Sequence, residues 1–233
     1  MEVAIPIAVL LVEAVARNLN NKIKMTTNTN LFPAIESTID SFDLAGLAPE
    51  RIKILQPLID YIQDKTNKQQ NIRLNLICTH NSRRSILAQV WTQAAATYYN
   101  IDKVYCYSGG TEATAVYPVI IETLEKSGFI IKIKDEGLNP VYAISYAENE
   151  SALLGFSKTY DNHYNPGSEF VAIMTCSQAD AGCPFIAGAE KRIPITYEDP
   201  KEFDHTAQQQ EKYWERSQQI GTEMLYVFSQ IKK

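Results

Sequence analysis

The sequence predicts an α/β fold built on a parallel sheet, and three observations carry that reading. From Ile72 onward, short apolar runs alternate with helical patterns, the order that gives parallel strands joined by crossover helices. Residues Leu74 to Ser85, LNLICTHNSRRS, pass from an apolar run through a short polar loop into a helical pattern, with a cysteine at the end of the run. Further on, Glu169 to Thr175 (EFVAIMT) is an almost unbroken apolar run, as a strand buried on both faces requires.

Each element follows in order. Ile72–Ile77 reads as the first strand, and Arg84–Tyr99 as a helix with Leu87, Val90, Trp91 and Ala94 on one face. Lys103–Tyr107 is the second strand. Pro118–Lys126 is a helix closed by Gly128, since glycine tolerates the left-handed backbone that ends helices. Phe129–Ile133 is a short apolar run and Val141–Tyr146 a further candidate strand. Glu169–Thr175 and Arg192–Ile195 complete the strands. Thr206–Lys233 is a long terminal helix with Tyr213, Ile220, Met224, Phe228 and Ile231 roughly on one side. Upstream, Pro33 and Pro49 can each open a helix, and Leu55, Leu58, Ile59 and Ile62 form the apolar stripe of the second. The run Asp64 to Asn71 is a polar linker and marks the domain boundary. The expected organisation is a weakly ordered extension over 1–30, a helical N-terminal extension over 31–70, and one main domain over 71–233, an allocation that 233 residues permit.

Composition narrows the function classes. A net charge of −5 argues against a nucleic-acid partner, which needs basic patches that release counterions. Four cysteines, at 78, 106, 176 and 183, are too few and too unevenly spaced for a secreted disulfide scaffold. They point to a reducing, cytoplasmic setting in which cysteines are catalytic. The three histidines (80, 163, 205) lack ligand spacing, so no metal is expected, and no cofactor motif stands out. Ala4–Ala16 is apolar but short, is flanked or interrupted by Glu2 and Glu13, and has no basic residues before it. It reads poorly as a signal peptide and is too short to span a bilayer. Met25 is an alternative start.

The chemistry concentrates at Cys78. The pattern Cys-x5-Arg-Ser between a strand and a helix makes an oxyanion cradle. Backbone N–H groups of the loop Thr79, His80, Asn81, Ser82 and Arg83, with the helix N-terminus, point at one bound anion. The Arg84 guanidinium can grip two of its oxygens, and the same positive field favours a thiolate at Cys78, a nucleophile for phosphorus or arsenic. Ligands of open α/β sheets bind beyond the carboxyl ends of strands, where Cys78 lies. Cys176 ends another strand of the same sheet, and Cys183-Pro184 follows in a segment that is loop or short helix. Three thiols on one rim suggest a relay in which each new disulfide forms by attack on the previous adduct. Cys106 reads as core. Asp199-Pro200, between the last strand and the terminal helix, offers a carboxylic acid on the same edge, able to protonate a leaving oxygen. The aromatic residues of 141–164 offer a wall for a phosphoaryl ligand.

Taken together, these motifs resemble the low-molecular-weight protein tyrosine phosphatase family, and more closely its thioredoxin-coupled arsenate reductase branch. CTHNSRRS is similar to the family's Cys-Thr-Gly-Asn-Ser-Cys-Arg-Ser loop. SGGTEATAVYPVIIETLEKSGF is similar to its Ser-Ala-Gly-Thr stretch and following helix. Cys176–Pro184 is similar to the reductases' second and third cysteines, and Asp199-Pro200 to the acid loop. The resemblance covers roughly residues 72–233. It implies a flavodoxin-like four-stranded parallel sheet of order 2-1-3-4 with helices on both faces. It implies Cys78 as nucleophile, Arg84 as oxyanion ligand, Ser85 as donor to the thiolate, Asn81 as loop former and Asp199 as general acid. It implies a relay from Cys78 through Cys176 to Cys183, with thioredoxin or a similar thiol as reductant and arsenate or a phosphoester as substrate. The departures are His80 for a loop glycine, Arg83 for a loop cysteine, Ile86 where proline is usual, and the unmatched stretch 134–168, expected to cover the site. Reductase, phosphatase and a non-catalytic redox or oxyanion-sensing module are the readings this leaves.

Overall fold

The computed structural model describes residues 30–183 and 185–233; the expectations for the N-terminal extension and for Met25 concern residues outside these. In chain order the elements are α1 (Pro33–Asp40), α2 (Pro49–Asn67), β1 (Ile72–Cys78), α3 (Arg84–Tyr98), β2 (Val104–Gly110), α4 (Pro118–Lys126), β3 (Ile130–Asp135), β4 (Val141–Ser145), β5 (Leu153–Gly155), β6 (Phe170–Met174), α5 (Ser177–Gly182), β7 (Ala189–Pro194), a 3₁₀ turn (Pro200–Phe203) and α6 (Gln209–Ser229). The strands β2-β1-β6-β7 form a four-stranded sheet, every neighbour parallel. By order of strands within this sheet it is the expected 2-1-3-4. Among the described residues no helix is long and apolar enough to cross a membrane.

Strand alternation divides the interior in two. Leu74, Leu76, Val171 and Ile173 face a large core shared with α1, α2, α3, α4 and α6. Ile77, Phe170, Ala172 and Met174 face a smaller cluster that includes Cys78, Cys176 and Ala179 of α5. The large core centres on Trp91, which is fully buried between the edges of Phe42 and Phe129 at 5.2 Å each and donates its indole N–H to Ser217 Oγ at 2.9 Å. Helix α6 approaches α3 closely because Gly221 lacks a side chain; a Cβ there would lie 2.6 Å from the Phe42 ring.

Helix α3 departs from the amphipathic reading, being buried on every side from Arg84 to Ala96. Its two glutamines are satisfied by the outer edge of β2. Gln89 donates to Cys106 O at 3.1 Å and accepts from Ser108 Oγ at 2.6 Å, while Gln93 donates to Val104 O at 3.2 Å and accepts from Cys106 N at 3.1 Å. An open strand edge is thereby closed by side chains. Helix α2 also runs on to Asn67, through half of the expected linker. It is pinned by the Arg51–Glu223 pair, whose two hydrogen bonds are 2.8 and 2.7 Å, and by Lys65 and Tyr61 on Glu190. Its stripe Leu55, Leu58, Ile59 and Ile62 is buried.

Residues 130–155 fold differently from the rest. The strands β3, β4 and β5 form a second, antiparallel sheet. The apolar run at 129–133 is therefore an edge strand, with Ile130 and Ile133 exposed. The segment that follows returns to the main sheet, where Gly110 N donates to Lys158 O at 2.8 Å and Tyr160 N donates to Gly110 O at 2.9 Å.

This return buries Lys158. Its side chain makes no ion pair among the described residues, and burial lowers its pKa to about 8. Against an unfolded value near roughly 10.4, the folded state disfavours the ammonium. The cost is complete below pH 8 and fades as pH rises through the interval to the unfolded value, because the folded chain releases the proton first. Lys158→Met is thus expected to be more stable than the parent at pH 7, by on the order of 3 kcal/mol. Denaturant midpoints measured at pH 7 and 10.5 check this, and an advantage that does not shrink at the higher pH contradicts it.

Candidate functional site

The carboxyl end of β1 opens into a loop with four carbonyls held from outside. Thr111 N donates to Cys78 O at 3.1 Å, Glu112 N to Thr79 O at 2.9 Å, Ser157 Oγ to His80 O at 2.7 Å, and Tyr117 N to Ser82 O at 3.1 Å. With the carbonyls turned outward, the opposite groups turn inward. The backbone N–H groups of Thr79 to Arg83 find no acceptor among the described residues, and α3 begins at Arg84 without a side-chain cap. Unsatisfied N–H groups converging at a helix N-terminus are an anion site.

Two glycines make this close packing possible. A Cβ on Gly110 would lie 2.6 Å from Thr79 O and 2.8 Å from Asn81 N, and one on Gly109 would lie 2.4 Å from Tyr160 Cα. Asn81 takes the left-handed turn, at φ +48°, a region asparagine enters more readily than most residues. His80 does not share that conformation, so replacing the family's glycine there costs no such strain. Asn81 Oδ1 accepts from Lys158 N at 3.1 Å, and its amide donates to Ser85 Oγ at 2.8 Å. Ser85 Oγ also lies 3.1 Å from Cys78 Sγ, close enough to donate to the sulfur once it is a thiolate. Cys78 lies almost fully buried at the base of the loop.

The two adjacent arginines are used differently. Arg84 donates to Tyr197 O at 2.9 Å and pairs with Asp199, while its Nε, also buried, has no partner among the described residues. Asp199 is further fixed by accepting from Lys201 N at 3.1 Å. A polar cavity of about 520 Å³ is lined by both, with His80, Gln178 and Lys201. The side chain of Arg83 turns the other way. It donates to Tyr213 Oη at 2.6 Å, pairs with Asp204 at 2.5 Å and lies 4.1 Å from the centre of the Tyr117 ring. Arg83 therefore lends the loop its backbone but not its charge, which leaves Arg84 as the arginine facing the cavity. The Asp204–Tyr213 partners that claim Arg83 carried no spacing signal visible in the sequence.

The remaining thiols fall as follows. Thr175 N donates to Ile77 O at 2.7 Å, so β6 delivers Cys176 beside the loop. Its sulfur lies 3.4 Å from Thr79 Oγ1 and accepts from Ala179 N at 3.3 Å. Cys183 is half-buried at the other end of α5 and packs on the same cluster as Cys78 and Cys176. Cys106 is in the main core, where burial pushes its thiol pKa well up. The Tyr-rich stretch does not wall the cavity. Tyr142 and Tyr146 are buried in the main core, and Tyr164 lies elsewhere. What the stretch does supply is Ser157 and Lys158, which brace the loop from behind.

No family model matches the chain. The chain is 29% identical over 124 residues to an arsenate reductase 2 of Staphylococcus epidermidis, a match covering 53% of this chain and 75% of that protein. The resemblance to the arsenate reductase branch of the low-molecular-weight phosphatase family stands. Solved structures similar to the chain include a low-molecular-weight phosphotyrosine phosphatase from Vibrio cholerae (11% identity, 68% of this chain and 95% of that one, TM-score 0.47). A second is an arsenate reductase in the phosphate-binding state (18% identity, 69% and 99%, TM-score 0.44).

Two outcomes follow from this geometry. Arg83→Met is expected to lower the melting temperature by several degrees, as loss of a buried charge-assisted cluster does, while changing orthophosphate affinity less than about twofold. Calorimetric titration distinguishes this from a charge supplied to the anion, which would cost tenfold or more. The second concerns α5, which Arg192 clamps by pairing with Asp180 and donating to Cys183 O at 2.9 Å. Arg192→Met is expected to raise the alkylation rate of Cys183 several-fold, read by mass spectrometry, with Cys106 as the internal unreactive reference.

Proposed function

We propose that this protein is an arsenate reductase that works through a cysteine nucleophile and a disulfide relay. The observation that carries the proposal is the conjunction at one sheet edge. Cys78 lies beneath five acceptor-free N–H groups, and Cys176 stands one threonine side chain away. The cradle holds a tetrahedral oxyanion, with the free Nε of Arg84 completing its ligands. Cys78 thiolate attacks As(V), and an arsenate oxygen leaves as water after taking a proton that Asp199 supplies. Cys176 thiolate then attacks Cys78 Sγ. The Cys78–arsenic bond breaks with its electron pair remaining on arsenic, which departs as arsenite. Two thiols have become one disulfide, balancing the two-electron reduction.

Cys183 thiolate then displaces Cys78 from Cys176. A seven-residue helical spacing puts Cα atoms about 10 Å apart, beyond the roughly 4.4–6.8 Å a disulfide spans. The exchange therefore requires α5 to unwind, releasing the Arg192 clamp and presenting the Cys176–Cys183 pair to an external dithiol such as thioredoxin. A reducing cytoplasmic setting supplies such a reductant.

A second reading is favoured by the Arg84–Asp199 pair. Cys78, Arg84 and Asp199 are all that hydrolysis of a phosphoester through a phosphocysteine needs, Asp199 protonating the leaving oxygen.

The test offers one equivalent of arsenate to the reduced protein without added thiol, then traps free thiols and maps the peptides. The parent is expected to release one arsenite and carry a Cys176–Cys183 disulfide. Cys183→Ser should stop as a Cys78–Cys176 disulfide, and Cys78→Ser should produce no arsenite. Free thiols at 176 and 183, together with steady hydrolysis of phenyl phosphate, would overturn the reductase reading in favour of the phosphatase.

A further inference from the structure

A second cavity of about 360 Å³ lies away from the cradle, between the outer side of β2 and the β4–β5 region. Its walls include Tyr105, Tyr146, Phe156 and Tyr164. Lys158 also lines it and is only 4% exposed. The ammonium has poor company. Its hydrogen bonds are long, to Ser108 Oγ at 3.5 Å and Phe156 O at 3.4 Å, with the Phe156 ring centre 4.3 Å away. No carboxylate pairs with it among the described residues, and burial alone lowers its pKa, to about 8. Buried lysines are rare unless paired, and this one faces a cavity rather than a packed wall.

A second orphan group shares the cavity. The amide nitrogen of Asn165 donates to Ser108 O, Thr159 O and Tyr160 O at 3.0, 3.3 and 3.1 Å, which fixes the amide orientation. Its Oδ1 is buried and accepts from nothing among the described residues. A cation without a counter-charge and an unpartnered acceptor, set in an aromatic pocket of ligand size, are the polar anchors of a small-molecule site.

We infer that this cavity is a binding site for a small aromatic monocarboxylate, whose carboxylate pairs with Lys158 and whose ring packs among the tyrosines and Phe156. The charge balance selects the class. One buried ammonium offsets one negative charge, and the exposed Glu150 among the lining residues disfavours a second, so a phosphate dianion is a poor fit. The apolar walls need a body that an inorganic ion lacks. The inference is independent of the chemistry proposed for Cys78.

The experiment titrates the full chain with 4-hydroxyphenylacetate and, separately, with the uncharged 4-hydroxyphenylacetamide, each with and without saturating orthophosphate. Affinities come from calorimetry and from chemical-shift changes. The carboxylate is expected to bind at millimolar concentration or tighter, the amide at least about tenfold more weakly, and orthophosphate to compete with neither. Lys158→Met, expected to fold with added stability, should lose at least about tenfold in carboxylate affinity. Leu153→Trp, which fills the cavity from a lining residue and keeps the lysine, should lose binding as well. The inference is overturned by absence of carboxylate binding, by equal affinity for the amide, by displacement with orthophosphate, or by undiminished binding in either variant.

Discussion

The candidate site depends on one constraint: the carbonyls of the loop after β1 must be held outward for its N–H groups to converge. Side chains alone do not achieve this. The donors are backbone and hydroxyl groups of residues 111, 112, 117 and 157, brought against the loop by a glycine pair that allows contact closer than any side chain would permit. Cys78, Ser85 and Asn81 then sit where the loop places them. In this sense the candidate side chains are passengers on a hydrogen-bonded backbone frame, and the frame is set by residues outside the loop.

The same frame explains the division of labour between Arg83 and Arg84. Adjacent residues at the entrance of a helix project in different directions, so only one of two consecutive guanidiniums faces the anion. The other stabilises the junction of loop, α4 and α6 through Asp204, Tyr213 and Tyr117. A desolvated second arginine beside the first would repel it. Its capture by Asp204 removes that cost and ties the helix entrance to the terminal segment.

Much of this was legible in the sequence. The parallel strands could be read because buried strands are apolar along their length, as in EFVAIMT, and because helices with proline at their start announce themselves, as at Pro33, Pro49 and Pro118. Cys78, Cys176 and Asp199 could be placed on one rim because each follows a strand of a parallel sheet. The antiparallel sheet of 130–155 could not be read, because its edge strand IIKIKD exposes isoleucine and its last strand has three residues. The direction of the Arg83 side chain could not be read, because Asp204 and Tyr213 lie more than a hundred residues downstream. Lys158 gave no signal at all, since a single lysine in a polar stretch looks solvated until the fold closes over it. The resemblance supplied the order of strands, and residues 31–70 lay beyond its reach; their helices nonetheless share the main core with the sheet.

The tethers on the loop also bear on the order in which the chain assembles. The β1–α3–β2 unit is closed by contacts between near neighbours, such as those of Gln89 and Gln93 with β2, 11 to 19 residues apart in sequence. Closing short loops costs little chain entropy, so such units form early. One carbonyl tether spans a much longer separation, 77 residues for Ser157 Oγ on His80 O. The cradle is therefore complete only once Ser157 has docked on the loop. An oxyanion that binds only the finished cradle stabilises the native state without stabilising the transition state that precedes it, and so acts as a brake on unfolding.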